Sequence, residues 1–254
     1  MIIGIIALIT TLFFGGPGEI FYVDNLEKGI KKSILDKERK KEILADFKIT
    51  KGIIKNYEKQ RKKDFKAFNE IYARKATTKN QLDSFFDSIQ DTRSTYQNKI
   101  IDQRILIFDK IEDQEWSEII ESSVTSAEKR IQKFEKKALK NNDGFGKTKA
   151  SIKSTISDRV KADSILKGIE NIEVTLKELE KALLSFNASD NKILANKHSD
   201  KKALLDIVKN DSEKRLPFMN AVIDFHQNLK NNSLDSEFDQ IIKVFLKEAN
   251  MTSK

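Results

Sequence analysis

Residues 144–148 read GFGKT, the closing half of a phosphate-binding loop. Such a loop cradles phosphates with backbone N–H groups, reaches them with its lysine and holds a cation with its hydroxyl. The full pattern needs a glycine at 141, where Asn141 stands, and a buried strand ahead of it, where a charged amphipathic pattern runs. Nucleotide chemistry fails on both counts. The two histidines, His198 and His226, are 28 residues apart. Neither has a carboxylate three or four positions away, and Asp224 with His226 at i, i+2 points to different faces of a helix. With no cysteine in the chain, a thiolate zinc site, an iron–sulfur cluster, a disulfide framework and a cysteine nucleophile are all excluded. Asp109, Glu112, Asp113, Glu115, Glu118 and Glu121 crowd one short stretch. Acidic residues suit the start of a helix, where the macrodipole is positive, and that explains them without a metal or an acid–base pair. No G-x-S-x-G nucleophile elbow is present. The Asn-x-Ser/Thr triplets at Asn187, Asn231 and Asn250 are what so Asn- and Ser-rich a chain holds by chance. The sequence therefore assigns no catalytic, cofactor-binding or metal-binding residue.

Charge is the stronger signal. The 254 residues carry a net +8, and residues 24–63 alone hold 14 Lys+Arg against 7 Asp+Glu. Lys28, Lys31, Lys32, Lys37, Arg39, Lys40 and Lys41 lead this excess. They follow an uncharged run, MIIGIIALITTLFF, at residues 1–14. As a helix that run is about 21 Å long, short of the roughly 30 Å hydrocarbon layer. Continuing to residue 23 lengthens it to about 35 Å but takes in Pro17 and Glu19. A signal peptide lacks its basic start and small-residue cleavage site here. A buried core helix also fits such a run. The favoured expectation is a membrane anchor over 1–23, with Phe21 and Tyr22 at the interface. The basic residues after it would meet anionic headgroups, each adding about 1 kcal/mol. Positive flanks stay in the cytoplasm, which places the body there, with a periplasmic body as the alternative. No nucleic-acid-binding motif accompanies the lysines, so no nucleic-acid partner is expected.

The elements that position these residues read as helices throughout. Only Pro17 and Pro217 and nine glycines interrupt a chain that is 34% charged. Apolar residues recur every three or four positions from Leu26 to Tyr72, predicting one long helix bent near Gly29 or Gly52. Thr78 and Gln81 have capping-box spacing and open the next helix, whose stripe runs from Leu82 to Ile111. Glu112 is expected to cap a third, with Ile111 and Trp116 as a hydrophobic staple and a seam through Val124, Ile131 and Phe134 to Ala138. Residues 141–149 read as a hinge between a helical segment over 24–140 and a three-helix segment over 150–249. Within the latter, one helix is expected from Ile152 to Phe186, a loop over 187–200, a helix kinked or restarted at Pro217, and a short last helix ahead of a 250–254 tail. The fold class is all-α: an N-terminal anchor followed by long amphipathic helices in antiparallel, coiled-coil-like hairpins.

The run from Arg104 to Trp116, RILIFDKIEDQEW, resembles the helix–turn–helix of small periplasmic chaperones of the Spy/CpxP kind, over 13 residues. That resemblance implies an extracytoplasmic binder that holds partner chains on apolar helix faces. The expectation drawn from the whole sequence is instead a membrane-tethered helical scaffold or interaction subunit without catalytic activity. It would meet lipid through its N-terminus and a protein partner, or itself, through its helix faces.

Overall fold

The computed structural model describes residues 26–120, 144–184 and 188–250, and every regular element among them is an α-helix. In chain order these are α1 (Leu26–Ser33), α2 (Lys37–Tyr72), α3 (Lys79–Asp109), α4 (113–120), α5 (Gly146–Thr155), α6 (Arg159–Leu184), α7 (Ala188–Ala195), α8 (Lys201–Asn232) and α9 (Asp235–Asn250). The expected anchor over 1–23, the seam from Val124 to Ala138 and all of the expected tail 250–254 but Asn250 lie outside the described residues. No helix among the described residues is long and apolar enough to cross a membrane.

Helix starts follow side-chain caps. Thr78 and Gln81 form the expected capping box, with Gln81 N donating to Thr78 Oγ1 at 3.3 Å and Thr78 N to Gln81 Oε1 at 2.8 Å. The first long helix is not interrupted at Gly29 or Gly52. It is broken at Leu35–Asp36 instead, because the Asp36 carboxylate accepts from Arg39 N at 2.8 Å and caps a fresh helix. Gly52 sits inside the unbroken α2. The expected helix from Ile152 to Phe186 is likewise two, α5 and α6. Asp158 divides them by accepting from Val160 N and Lys161 N at 2.9 and 3.1 Å. The expected loop over 187–200 contains α7, and Asp200 caps α8 through Ala203 N at 2.7 Å. Pro217 lies inside α8, and the helix does not restart there. Pro217 and Glu213, whose carbonyl loses its partner, are both exposed, so solvent satisfies what the ring removes.

Helices α2, α3 and α8 run antiparallel to one another in turn, and α6 packs along α8. They enclose two apolar cores. One gathers Phe68, Tyr72, Phe86, Ile165, Ile172, Phe218, Phe225 and Phe245 from α2, α3, α6, α8 and α9. The other gathers Ile30, Ile43, Ile100, Phe108, Trp116, Leu194 and Leu204 from α1, α2, α3, α4, α7 and α8. Gly29 allows α1 to approach α4, since a Cβ there would stand 3.0 Å from Ile119 Cγ2. Each core draws on residues from both sides of 141–149, so the two segments expected to be divided there are packed together. Of that expected hinge, 141–143 lie outside the described residues. Gly144 turns the chain at φ +46°, Phe145 is buried and stacked on Phe245 at 5.2 Å between ring centres, and helix α5 begins at Gly146.

That helix start explains GFGKT. The Glu248 carboxylate of α9 accepts from Lys147 N at 3.0 Å, Thr148 N at 2.9 Å and the Thr148 hydroxyl at 2.6 Å. An internal carboxylate thus occupies the anion-binding end of α5 and ties it to α9. Glu248→Ala should therefore destabilise the protein by about 1–2 kcal/mol, read from the urea midpoint, because it removes a charged cap.

Candidate functional site

The seven basic residues 28–41 fall into two groups. Arg39 is drawn inward: its guanidinium is paired with Glu112 and Glu115 at the start of α4. Lys31 pairs with Glu27 at 2.7 Å, and Lys51 closes on the same carboxylate. These two lysines, Lys31 first, pull the Glu27 carboxyl down to about 2. Lys40 donates to the Lys31 carbonyl at 3.2 Å and so stitches the end of α1 to α2. Lys28, Lys32, Lys37 and Lys41 remain. All four are exposed and form no ion pair or hydrogen bond among the described residues. Lys28 and Lys32 are one helical turn apart on α1, as are Lys37 and Lys41 on α2. Between the pairs stands Leu35, 84% exposed.

Three carboxylates of the acidic stretch are engaged by cations of the protein itself. Glu112 and Glu115 serve Arg39, and Asp113 takes Lys197 at 2.7 Å and His198 at 3.1 Å. Lys197, then His198, holds the Asp113 carboxyl below its ordinary value. Glu115 Oε2 also accepts from Glu112 N at 2.9 Å, closing the start of α4, and Ile111 and Trp116 are both buried there. Among the described residues no three carboxylates or imidazoles converge on one point. A surface groove of about 550 Å³ between α5 and α9 holds Lys147, Ser151, Gln240 and Lys247, and its one carboxylate, Glu248, is already committed to the start of α5.

Sequence reasoning missed a buried polar layer between the two cores. Arg93 of α3 and Arg215 of α8 are 2% and 1% exposed, and both bind Asp211, Arg215 at 2.8 Å. Tyr57 of α2 and Gln97 of α3 are buried alongside in the same stretch of the bundle. Two guanidiniums thus share one carboxylate. Burial, then the like charge of Arg215, pulls the Arg93 guanidinium below its ordinary value. Burial pushes the Asp211 carboxyl up, but Arg215 and Arg93 outweigh it and hold that carboxyl below the usual range. The signal was present in the spacing. Arg93 and Gln97 continue the α3 stripe between Ile89 and Ile100, and Asp211 and Arg215 continue the α8 stripe between Val208 and Phe218. Polar residues at core positions mark such a layer.

The remaining buried polar groups are structural. Arg104 donates to the Leu194 carbonyl at 2.7 Å and Trp116 to that of Ala195 at 2.8 Å, so both finish α7. Arg104 lies 4.2 Å over the Phe108 ring, and burial pushes its guanidinium down to about 9. His226 is fully buried between Tyr72 and Phe238. The chain matches no protein-family model, no curated protein and no solved structure.

Proposed function

We propose that the chain is a membrane-tethered helical scaffold, held by residues 1–23 and by the basic face that follows them, with its helical body in the cytoplasm. One observation carries this reading. Lys28, Lys32, Lys37 and Lys41 are exposed, without an ion pair among the described residues, around an exposed Leu35, directly after the apolar N-terminal run. The neighbouring cations of the same cluster are used inside the protein, so the four left outward are available to anionic headgroups. The scaffold's partner, a second protein or a second copy, would meet the remaining helix faces. The chaperone-like alternative asks for a broad exposed apolar face. The exposed large apolar side chains (Ile49, Leu106, Val160, Val174, Leu216 and Leu234 besides Leu35) are spread one or two to an element, so the charged face carries the reading.

Deleting residues 1–23 should move the protein from the membrane to the soluble fraction at unchanged helix content by circular dichroism. Protease added to spheroplasts should leave the body of the full chain intact. A full chain that is soluble without detergent, or a truncated one that unfolds, makes 1–23 part of the core instead.

A further inference from the structure

Helix α2 carries a second basic feature, along its whole outer side. Lys37, Lys41, Lys48, Lys55, Lys59, Lys62 and Lys66 are all exposed. Their steps are four, seven, seven, four, three and four residues. At 100° per residue they fall within about 60° of one another around the axis and span about 44 Å of its length. No carboxylate interrupts that strip until Glu70, which stands 3.9 Å from Lys66. Gly52 borders the strip, about 20° beyond its Lys41–Lys59 edge, where a Cβ would meet nothing within 4 Å. The buried residues of α2, Ile43, Thr50, Tyr57, Phe68 and Tyr72, face the opposite way. The helix's two arginines leave the strip too. Arg39 is paired with Glu112 and Glu115, and Arg61 is half-buried.

Resting on the membrane reading above, we propose that α2 lies lengthwise on an anionic lipid surface through this lysine strip, so that the bundle rests on its side. Three observations favour a lipid surface over a nucleic acid. A straight strip of charges can meet a flat sheet of headgroups along its whole length, whereas a duplex backbone winds away from it. Every cation on the strip is a lysine, a point charge that suits diffuse attraction, while the arginines that would fork onto single phosphates are turned inward. The strip also begins at the α1–α2 turn, beside Leu35 and the apolar N-terminus.

Because the chain has no cysteine, Gly52→Cys places a unique label beside the strip without removing a lysine. The full chain carrying a fluorophore there would be reconstituted in vesicles containing headgroup-quencher lipid. Quenching should be strong with anionic lipid, weak with neutral lipid, and reversed by salt, since exposed charges are screened beyond about 8 Å at physiological ionic strength. Each lysine near the surface is worth about five-fold. Replacing four together (Lys48→Gln, Lys55→Gln, Lys59→Gln, Lys62→Gln) should therefore shift the flat-lying equilibrium on the order of 10³-fold. Arginine at the same four positions should preserve it. A label at Val174→Cys, on α6, should stay unquenched throughout. A membrane-bound chain whose position 52 is unquenched by anionic lipid overturns the flat docking and leaves the tether intact. A full chain that does not associate with membranes overturns both. Strip-dependent binding of duplex DNA, with no quenching on vesicles, assigns the strip to nucleic acid and overturns the proposal.

Discussion

Asp211→Asn should cost about 3 kcal/mol or more, because it removes the one carboxylate shared by two buried guanidiniums. A guanidinium does not readily relieve such a loss by releasing a proton. Arg93 is poorly placed to find a new partner, since its Nε and Nη1 are buried and form no hydrogen bond among the described residues. Arg93→Met should behave in the opposite way. It removes a buried charge and its desolvation cost while leaving Asp211 paired with Arg215. Its stability should fall within about 1 kcal/mol of wild type or rise above it. The pair Asp211→Asn with Arg93→Met should recover part of the single Asp211 loss. Urea unfolding at pH 7, followed by circular dichroism, measures all three. An Asp211→Asn protein with an unchanged midpoint would mean that solvent reaches the layer and screens it.

Much of the fold is legible in the spacing of apolar residues, and the departures have physical causes. A period of three to four identifies α2, α3, α6, α8 and α9 because each buries one stripe. What periodicity does not show is where a helix stops when its stripe continues in phase. Asp36 and Asp158 each end one helix and cap the next without an intervening Gly or Pro, so α1–α2 and α5–α6 read as single helices. The opposite case falls at Pro217. A proline at an exposed position does not break the helix when Arg215, Phe218 and Met219 are buried on either side. The short α7 hides in a polar stretch because its stability comes from outside itself, from Arg104 and Trp116 at its last carbonyls.

The basic face was legible as composition before it was legible as geometry. Counting charges places the excess after the apolar N-terminus. Only the structure separates Lys28, Lys32, Lys37 and Lys41, exposed and without an ion pair among the described residues, from Arg39, Lys31 and Lys40, which are spent on Glu112, Glu115, Glu27 and a backbone carbonyl. Glu112 and Glu115 are 73 and 76 residues from Arg39, so no local pattern reveals that pairing, although Glu27 and Lys31 stand at i, i+4. The strip along α2 is different, because its period is written in the lysines themselves. It is missed when only apolar periodicity is followed.

His226 makes the acid limit of the fold testable. Its ring is fully buried between Tyr72 and Phe238, and Gln227 Nε2 donates to Nδ1 at 3.0 Å. Burial, helped by the nearby Lys230, pushes its pKa from 6.5 down to about 4, against smaller opposing pulls from the backbone of Arg74 and Tyr72. At pH 7 the folded ring is neutral and the unfolded one mostly so, and the contribution to pH dependence is small. Below pH 6.5 the unfolded chain takes up a proton that the folded one refuses, so stability falls as pH falls. The loss continues until the folded ring also protonates, near pH 4. A window of that width corresponds to about 3 kcal/mol. Carboxylates titrate over the same range, so the informative quantity is the difference from a variant that cannot titrate there. His226→Phe suits the aromatic surroundings, and Gln227 would keep its bond to the Thr77 carbonyl at 3.3 Å. Whatever this variant gains or loses at pH 7, its stability relative to wild type should rise by about 3 kcal/mol between pH 7 and pH 4. Urea midpoints at half-unit pH steps give the curve. Parallel curves for the two proteins would show that His226 takes its proton without unfolding, and that the Tyr72–Phe238 packing around it opens more cheaply than its burial implies.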